Sequence, residues 1–461
     1  MIRILLLLCT LAWPVTRTHQ DLIDLVGRKG DITHLYDLYS RTGYLSAAEF
    51  GAVGNGAAND SAAIRAAIIA THEYRVDAGL STATLYLPPG IYKACQVPII
   101  TGLRLVSSGR GGAILTCSDT VPAVISAVYS AGSFTSNLAA TQSQVQNGTH
   151  SVENAALENL TIEHTGALGS SFSGAIQIVG APTIEIMNVR GTMTSNNRNF
   201  LYLKYCWRAR LQRLYVNRGG AAGGVGIFLD SECNAVKVDQ PFVYGPWTYG
   251  IRSTNPNSVS IIEPNVETCS TGILLSGKSG RIIGGYLEGN IRSDIQIGVV
   301  GAAQAQNFLV QNVWHNPIPG VSKYAVALHN GKRGRVIMPF FEADYDTAFF
   351  YSASAGDGNV GNVIELATGS DASTVGIAAL GLSGGRNLVK FMAEDHDDYR
   401  FQAQYRTSDN ARVDRVISGI GAPEGAVPAP VGFIYVRADG GAGTTLYVKE
   451  SGTGTLGWVA K

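Results

Sequence analysis

The sequence carries no surplus of either charge. Lys plus Arg and Asp plus Glu number 35 each among 461 residues, and charged residues make up only 15%. Without net positive charge or a basic run there is no electrostatic footprint for nucleic acid. A neutral or weakly charged glycan is compatible with such a surface. Long apolar runs are also missing. The run MIRILLLLCTLAW, residues 1–13, has one early Arg and is short for a bilayer span. It reads as a signal-like segment, residues 1–20, although PVTRTHQ lacks the small residues of a cleavage site. No other stretch offers a membrane span. Nor is there a CxxC pair. Cys9, Cys95, Cys117, Cys206, Cys233 and Cys269 are scattered, which argues against zinc or iron–sulfur binding. Buried reduced thiols are the simpler expectation, with an extracellular disulfide as the alternative.

Glycine, in contrast, is abundant at 55 residues. It recurs between apolar tetrads, which fits many turns rather than long helices. The most informative stretch is Ile261–Asn290, IIEPNVETCSTGILLSGKSGRIIGGYLEGN. Ile261-Ile262, Val266 and Glu267 recur as Ile282-Ile283, Leu287 and Glu288, each 21 residues on. Gly272–Leu275 recurs as Asp294–Ile297, 22 residues on. A fixed period in the twenties marks a solenoid, whose units bury their apolar faces only by stacking. Strands this short, with Gly-rich turns and no room for crossover helices, predict an all-β fold, a parallel β-helix with two strands per unit. One apolar column starts at Ile176 and runs through Leu201, Ile227, Ile251, Ile273, Ile295, Val326 and Phe349. A second runs through Leu160, Ile184, Leu211, Val238, Ile261, Ile282, Phe308 and Val336.

Ahead of these coils, AEFGAVGNGAANDSAAIRAAIIATHEY (48–74) predicts a Gly-rich loop and a helix, with Asp60 or Ser61 as its N-cap. LYLPPGIY (85–92) predicts a strand, a turn and a strand. Phe50–Ile68 together with Leu87–Tyr92 resembles the opening of the pectate-lyase-like right-handed β-helix superfamily, which includes phage tailspike depolymerases. Asn55 and Asn59 stand where Asp is usual. The resemblance implies a right-handed solenoid with an N-terminal capping helix, and it leaves the chemistry open. Residues 131–151, rich in Ser, Gln, Asn and Thr, are expected to form a projecting loop. The expected organisation is residues 21–46 as a linker and helix, 47–369 as the β-helix, 370–421 as a polar connecting region and 422–461 as a small C-terminal β module. That last module resembles the β-tails of phage and prophage tail proteins, which implies assembly or capping, with a homotrimer as the expected state.

Aligning the coils by their apolar positions sets Tyr244, Glu267, Glu288, Trp314 and Glu342 in one column. Stacked carboxylates repel, and proximity raises one of their pKa values. Glycoside hydrolysis needs such a pair, one protonated acid and one ionised base or nucleophile. Catalytic candidates are therefore Glu288, Glu267 and Glu342, with Asp230 an outlying acid on another face. Neighbours on adjacent coils suit the ~5–5.5 Å separation of retaining enzymes; Glu288 and Glu342, two coils apart, suit the roughly 6.5–9.5 Å of inverting ones. Tyr244, Tyr286, Trp314, His315 and Arg292 are candidate sugar-binding residues. The predicted function is a polysaccharide depolymerase, extracellular or on a virion tail, with no cofactor. Two alternatives stand. A lyase would take a uronate, with Arg292 or Lys278 as base and Ca²⁺ held by Glu267 and Glu288. A non-catalytic glycan-binding spike would use the same aromatics. The lyase motifs of the superfamily and the closely spaced Asp pairs of polygalacturonases are absent from the sequence.

Overall fold

The structure is a computed structural model that describes residues 39–40, 42–109, 112–194, 198–299, 304–318, 320, 322–338, 347–351, 361–368, 388–393, 403–406, 411–412, 416–452 and 454–461. The chain forms a parallel β-solenoid of the right-handed type, of about 9 turns and with few helices. It divides into two compact units, residues 1–191 and 192–461. The signal-like segment at residues 1–20 and Glu342 lie outside the described residues.

In the first unit, Leu85, Leu105, Leu157 and Ile186 align across parallel strands. All four are fully buried. This is the apolar ladder that a coil buried on its inner face requires. The helix Ser61–Asp77 buries Ile64, Ala67 and Ile68. Asp60 sits at its N-cap position, but its side chain makes no cap bond. The carboxylate instead accepts the Val53 and Gly54 amides at 2.7 and 3.3 Å and clamps the Gly-rich loop. Gly54 has φ +64°, and a Cβ there would lie 2.8 Å from the Tyr92 ring. Only glycine lets that loop lie on the tyrosine. Residues 131–151 do not simply project. Ser133–Ser136 pairs antiparallel with Val124–Ser130. A short helix, Gln142–Gln146, follows, fixed by a Thr141–Gln144 capping box. Its Val145 is buried. Cys95 and Cys117 form a disulfide, where reduced thiols were expected; Cys206, Cys233 and Cys269 are buried thiols outside any disulfide.

In the second unit the column Leu201, Ile227, Ile251, Ile273, Ile295, Val326 and Phe349 is in register as the sequence predicts. The other column is corrected. Leu211, Val238, Ile261, Ile282, Val310 and Val336 align, with Val310 in the place expected for Phe308. Each coil that is described throughout also has three strands, not two. Ser260–Ile262, Asn265–Glu267 and Thr271–Leu275 make up one such coil. The first two read as one strand in sequence because a single corner residue separates their directions. That corner recurs at Arg213, Gln240, Glu263, Gly284 and Asn312, all with φ between 46° and 63°. Left-handed backbone at one residue turns the chain sharply without a long loop.

Residues 416–461 end in a four-stranded sheet: Val416–Gly419, Ile434–Arg437, Leu446–Lys449 and Trp458–Ala460. Ala429, Phe433, Tyr435, Tyr447 and Trp458 form its core.

Candidate functional site

The middle strands of the coils carry the candidate residues. Val216, Val243, Val266 and Leu287 align in register and are fully buried. The residues flanking each of them therefore point outward, by the period of two of a strand. One outward column reads Tyr244, Glu267, Glu288, Asn316. The other reads Tyr215, Phe242, Asn265, Tyr286, Trp314. Glu267 and Glu288 are thus direct neighbours on adjacent coils, at the ~4.8 Å strand spacing. Both are half-buried.

Trp314 and His315 fall two residues from their expected places. Trp314 pairs with Tyr286, and Asn316 takes the position below Glu288. His315 aligns with the buried Leu287 and is itself fully buried. It is an interior residue and not part of the outward-facing surface. Its Nδ1 lies 2.9 Å from Asp294 Oδ2. The other Asp294 oxygen accepts Asn290 Nδ2 at 2.8 Å, and Asn290 Oδ1 accepts the Cys269 amide at 3.0 Å. Asp294 and Asn290 are fully buried too. Buried polar groups persist when they are mutually hydrogen-bonded, and this network lies directly behind the strand of Glu288.

At the surface, Asn316 Nδ2 donates to Tyr286 Oη at 2.7 Å and to Glu288 Oε1 at 3.0 Å. An amide nitrogen has two hydrogens, one for each acceptor. Tyr286 is further hydrogen-bonded to Glu288. The phenol is pushed up by burial and then by the Glu288 and Glu267 charges, against the opposing Asn316 bond. It stays a neutral donor. The Glu267 carboxyl is also pushed up, first by burial and further by the Glu288 charge, while a hydrogen bond from Asn265 draws it back. The pair is asymmetric: Glu288 accepts hydrogens from two neighbours, while Glu267 is the carboxyl held toward its protonated form.

Tyr244 and Trp314 are 41% and 45% exposed, so each offers a ring face to solvent. Tyr215 and Phe242 stack at 4.8 Å with an interplanar angle of 2°. Arg292 is exposed at the start of the strand Ser293–Ile297 and makes no ion pair among the described residues. Among the described residues no cluster of three His, Cys, Asp or Glu is placed to hold a metal. Asp230 belongs elsewhere, accepting the Tyr202 hydroxyl at 2.5 Å. Sequence reasoning missed Tyr215, Phe242 and Asn316. The aromatic pair follows the 27-residue step from Val216 to Val243, a signal available in the sequence; Asn316 had none, because His315 breaks the apolar pattern.

A cleft of about 530 Å³ opens in the same unit. Trp247, Thr248, Tyr249, Arg252, Thr268 and Ser270 are in its wall. Thr268 directly follows Glu267 in the chain. Arg252 lies over the Phe228 ring at 4.9 Å and the Tyr249 ring at 5.3 Å, and its Nε donates to Thr254 Oγ1 at 3.3 Å.

The stacked three-strand coils with their outward acids and aromatics define a pectate-lyase-like parallel β-helix. Residues 44–283 match the model of one family of this superfamily, rhamnogalacturonase A/epimerase, pectate lyase-like. That span is more than half of the 461 residues, and the chain belongs to this family. No curated protein matches the sequence. Among solved structures, a tailspike protein mutant of Escherichia coli bacteriophage HK620, in complex with a hexasaccharide, is similar at 10% identity and TM-score 0.47, covering 77% of each chain. A DFA-IIIase from Arthrobacter chlorophenolicus A6 is similar at 13% identity and TM-score 0.45, over 76% of this chain and 99% of that one. The mannuronan C-5 epimerase AlgE4 A-module of Azotobacter vinelandii is similar at 14% identity and TM-score 0.35, over 67% and 98%. None of these similarities bears on the chemistry of this chain.

Proposed function

We propose that this chain is a polysaccharide depolymerase that hydrolyses glycosidic bonds with Glu267 and Glu288. The observation that carries the reading is the asymmetry of two carboxyls at equivalent positions of adjacent coils. Glu267, pushed toward its protonated form, is the general acid that protonates the leaving oxygen. Glu288, accepting from Asn316 and bonded to Tyr286, is its partner. Neighbouring coils match the ~5–5.5 Å carboxyl separation of retaining enzymes, so Glu288 acts as nucleophile and Glu267 then returns as base to activate water. Asn316 is a positioning residue that fixes the rotamer of Glu288 and the direction of the Tyr286 hydroxyl. Tyr244 and Trp314 stack on sugar rings either side of the pair.

The test is a polysaccharide panel read for new reducing ends and for ultraviolet absorbance of unsaturated uronate. Reducing ends without absorbance are expected, and Glu288→Gln, which removes the nucleophile of the covalent step, should abolish most turnover while keeping glycan binding. Absorbance would overturn hydrolysis in favour of elimination. A second reading, a binding spike without turnover, is favoured by the exposure of Tyr244 and Trp314; retention of a glycan with no fragment released by the wild-type chain would establish it.

The reading extends to the whole chain. The helix Ser61–Asp77 serves as the N-terminal cap and the sheet of residues 416–461 as a C-terminal module. The protein works outside the cytoplasm, secreted or on a virion tail, as its disulfide suggests. Copies associate as a homotrimer, which would cover apolar residues such as Val436, Leu446 and Val459, 37–39% exposed on that sheet.

A further inference from the structure

Two of the buried thiols meet. Cys206 and Cys233 are both fully buried and outside any disulfide, and the Cys233 thiol is hydrogen-bonded to Cys206. Cys206 follows the strand Asn199–Lys204, and Cys233 follows the paired strand Val225–Leu229 one coil later. The corner residues beside them fix the register. Arg208 N donates to Asn234 O at 2.7 Å, and Arg208 and Ala235 share left-handed φ values of 60° and 54°. Each cysteine lies two residues before its corner, so the two hold the same place on adjacent coils. Their thiols donate to consecutive carbonyls of one strand, Cys233 to Leu203 O at 3.3 Å and Cys206 to Lys204 O at 3.4 Å. Parallel neighbours sit ~4.8 Å apart, within the roughly 4.4–6.8 Å between Cα atoms that a disulfide spans. Cys95 and Cys117 are already bridged across a comparable step of the chain, with Cα atoms 5.2 Å apart. Cys269 is placed differently. It precedes its strand, Thr271–Leu275, where the other two follow theirs, so a strand's length keeps it from the pair.

We propose that Cys206 and Cys233 are the site of a second coil-to-coil cross-link, closed by exchange with a small-molecule or protein disulfide while the chain folds. This goes beyond the glycan reading and is independent of it. The thiolate of one cysteine attacks the reagent disulfide, and one reagent thiol leaves. The thiolate of the other attacks the mixed disulfide, and the second reagent thiol leaves. Two electrons pass from the protein pair to the reagent, and the two thiol protons end on the departing thiols. The structure holds the reduced form of the pair. In it, burial pushes the Cys233 thiol up, and the neighbouring Cys206 adds to the effect. The thiolate is the nucleophile, and a buried, protonated thiol is inert. Closure therefore belongs to folding, before neighbouring coils cover the pair. The finished solenoid keeps the form in which it folded, and so preserves the redox state of the compartment where that happened.

The test compares the full chain folded in a mixture of oxidised and reduced glutathione with the same chain folded in dithiothreitol. Where refolding gives no soluble chain, protein secreted into an oxidising compartment and protein made in a reducing cytosol supply the same two samples. Each is unfolded in iodoacetamide, digested and mapped by peptide mass. The first should show Cys206 joined to Cys233 and Cys95 joined to Cys117; the second should show all four alkylated. The Cys95–Cys117 bond is the internal control that the oxidant reached the chain. Alkylated Cys206 and Cys233 in a chain whose Cys95–Cys117 bond is closed would overturn the proposal. So would either cysteine joined to Cys269. The dithiothreitol-folded protein, freed of reductant, is then given oxidised glutathione. Closure of Cys206–Cys233 should be at least about tenfold slower than during folding, because the covered thiols are not ionised, and urea below the unfolding midpoint should speed it. Closure in the folded protein as fast as during folding would overturn the assignment of the step to folding.

Discussion

His315 stands where the preceding coils place Val243, Val266 and Leu287, and it is tolerated because Asp294 comes to meet it. Asp294 occupies the position held one coil earlier by Gly272, where an added Cβ would lie 3.0 Å from Asn290 Nδ2. Two adjacent coils thus exchange, one a glycine and the next an aliphatic residue, for a hydrogen-bonded acid and imidazole. His315→Leu should restore the apolar ladder but leave a buried carboxylate short of a partner, at a cost of about 1–3 kcal/mol or more. Adding Asp294→Gly should recover much of that loss, and a double-mutant cycle by denaturant unfolding measures the coupling. If the two losses simply add, the pair is not coupled. The charge of Glu288 is the second influence raising Glu267. Glu288→Gln should therefore move the Glu267 titration down toward its ordinary range, seen in carboxyl NMR, but only in part, because burial remains. The linkage follows from the sign. A carboxyl raised by folding favours the native state in its protonated form, so this contribution is present at low pH and is lost as pH rises through the folded value. The same residues show what was legible. Glu267 and Glu288 could be matched because everything around them repeats at 21 residues. Trp314 and Asn316 could not be placed, since locating them required knowing that a histidine sits inside, and apolar periodicity assigns histidine to the surface.

At the scale of the element, the columns of Ile and Leu were readable because burial demands the same side-chain class on every coil. The corners were not. Arg213, Gln240, Glu263 and Asn312 share a left-handed φ but no chemistry, so the turn between the first and second strands leaves almost no mark in composition. The three-strand coil consequently looked like two. Cys95 and Cys117 were likewise invisible as a pair, because 22 residues of separation is simply one turn of the solenoid. The disulfide joins one coil to the next near the loop clamped by Asp60. On the chain-entropy model a loop of this length contributes about 3 kcal/mol, so a Cys95→Ala, Cys117→Ala protein should lose stability of that order in urea unfolding. An unchanged midpoint would mean that the coils around the bond hold without it.

For the molecule as a whole, the assembly proposal has a direct measurement. Sedimentation of the full chain should give the mass of three copies of a 48.7 kDa chain, and Val459→Asp, placing a charge on the exposed apolar face of the C-terminal sheet, should shift it toward one. A wild-type mass of one copy would refute the trimer. One further consequence follows from the register of Glu267 and Glu288. Because the two acids are separated by a whole coil, the gap between them cannot be tuned continuously; it comes in increments set by strand spacing. Inserting between them a 21-residue unit with a neutral residue at that position would carry the gap from one increment to two, roughly 10 Å at the backbone, and would remove the Glu288 charge from beside Glu267 while leaving the Asn316 bond of Glu288 in place. The stereochemical outcome of the reaction would then be a counting property of the chain, open to change by a single in-frame insertion with no substitution at either acid.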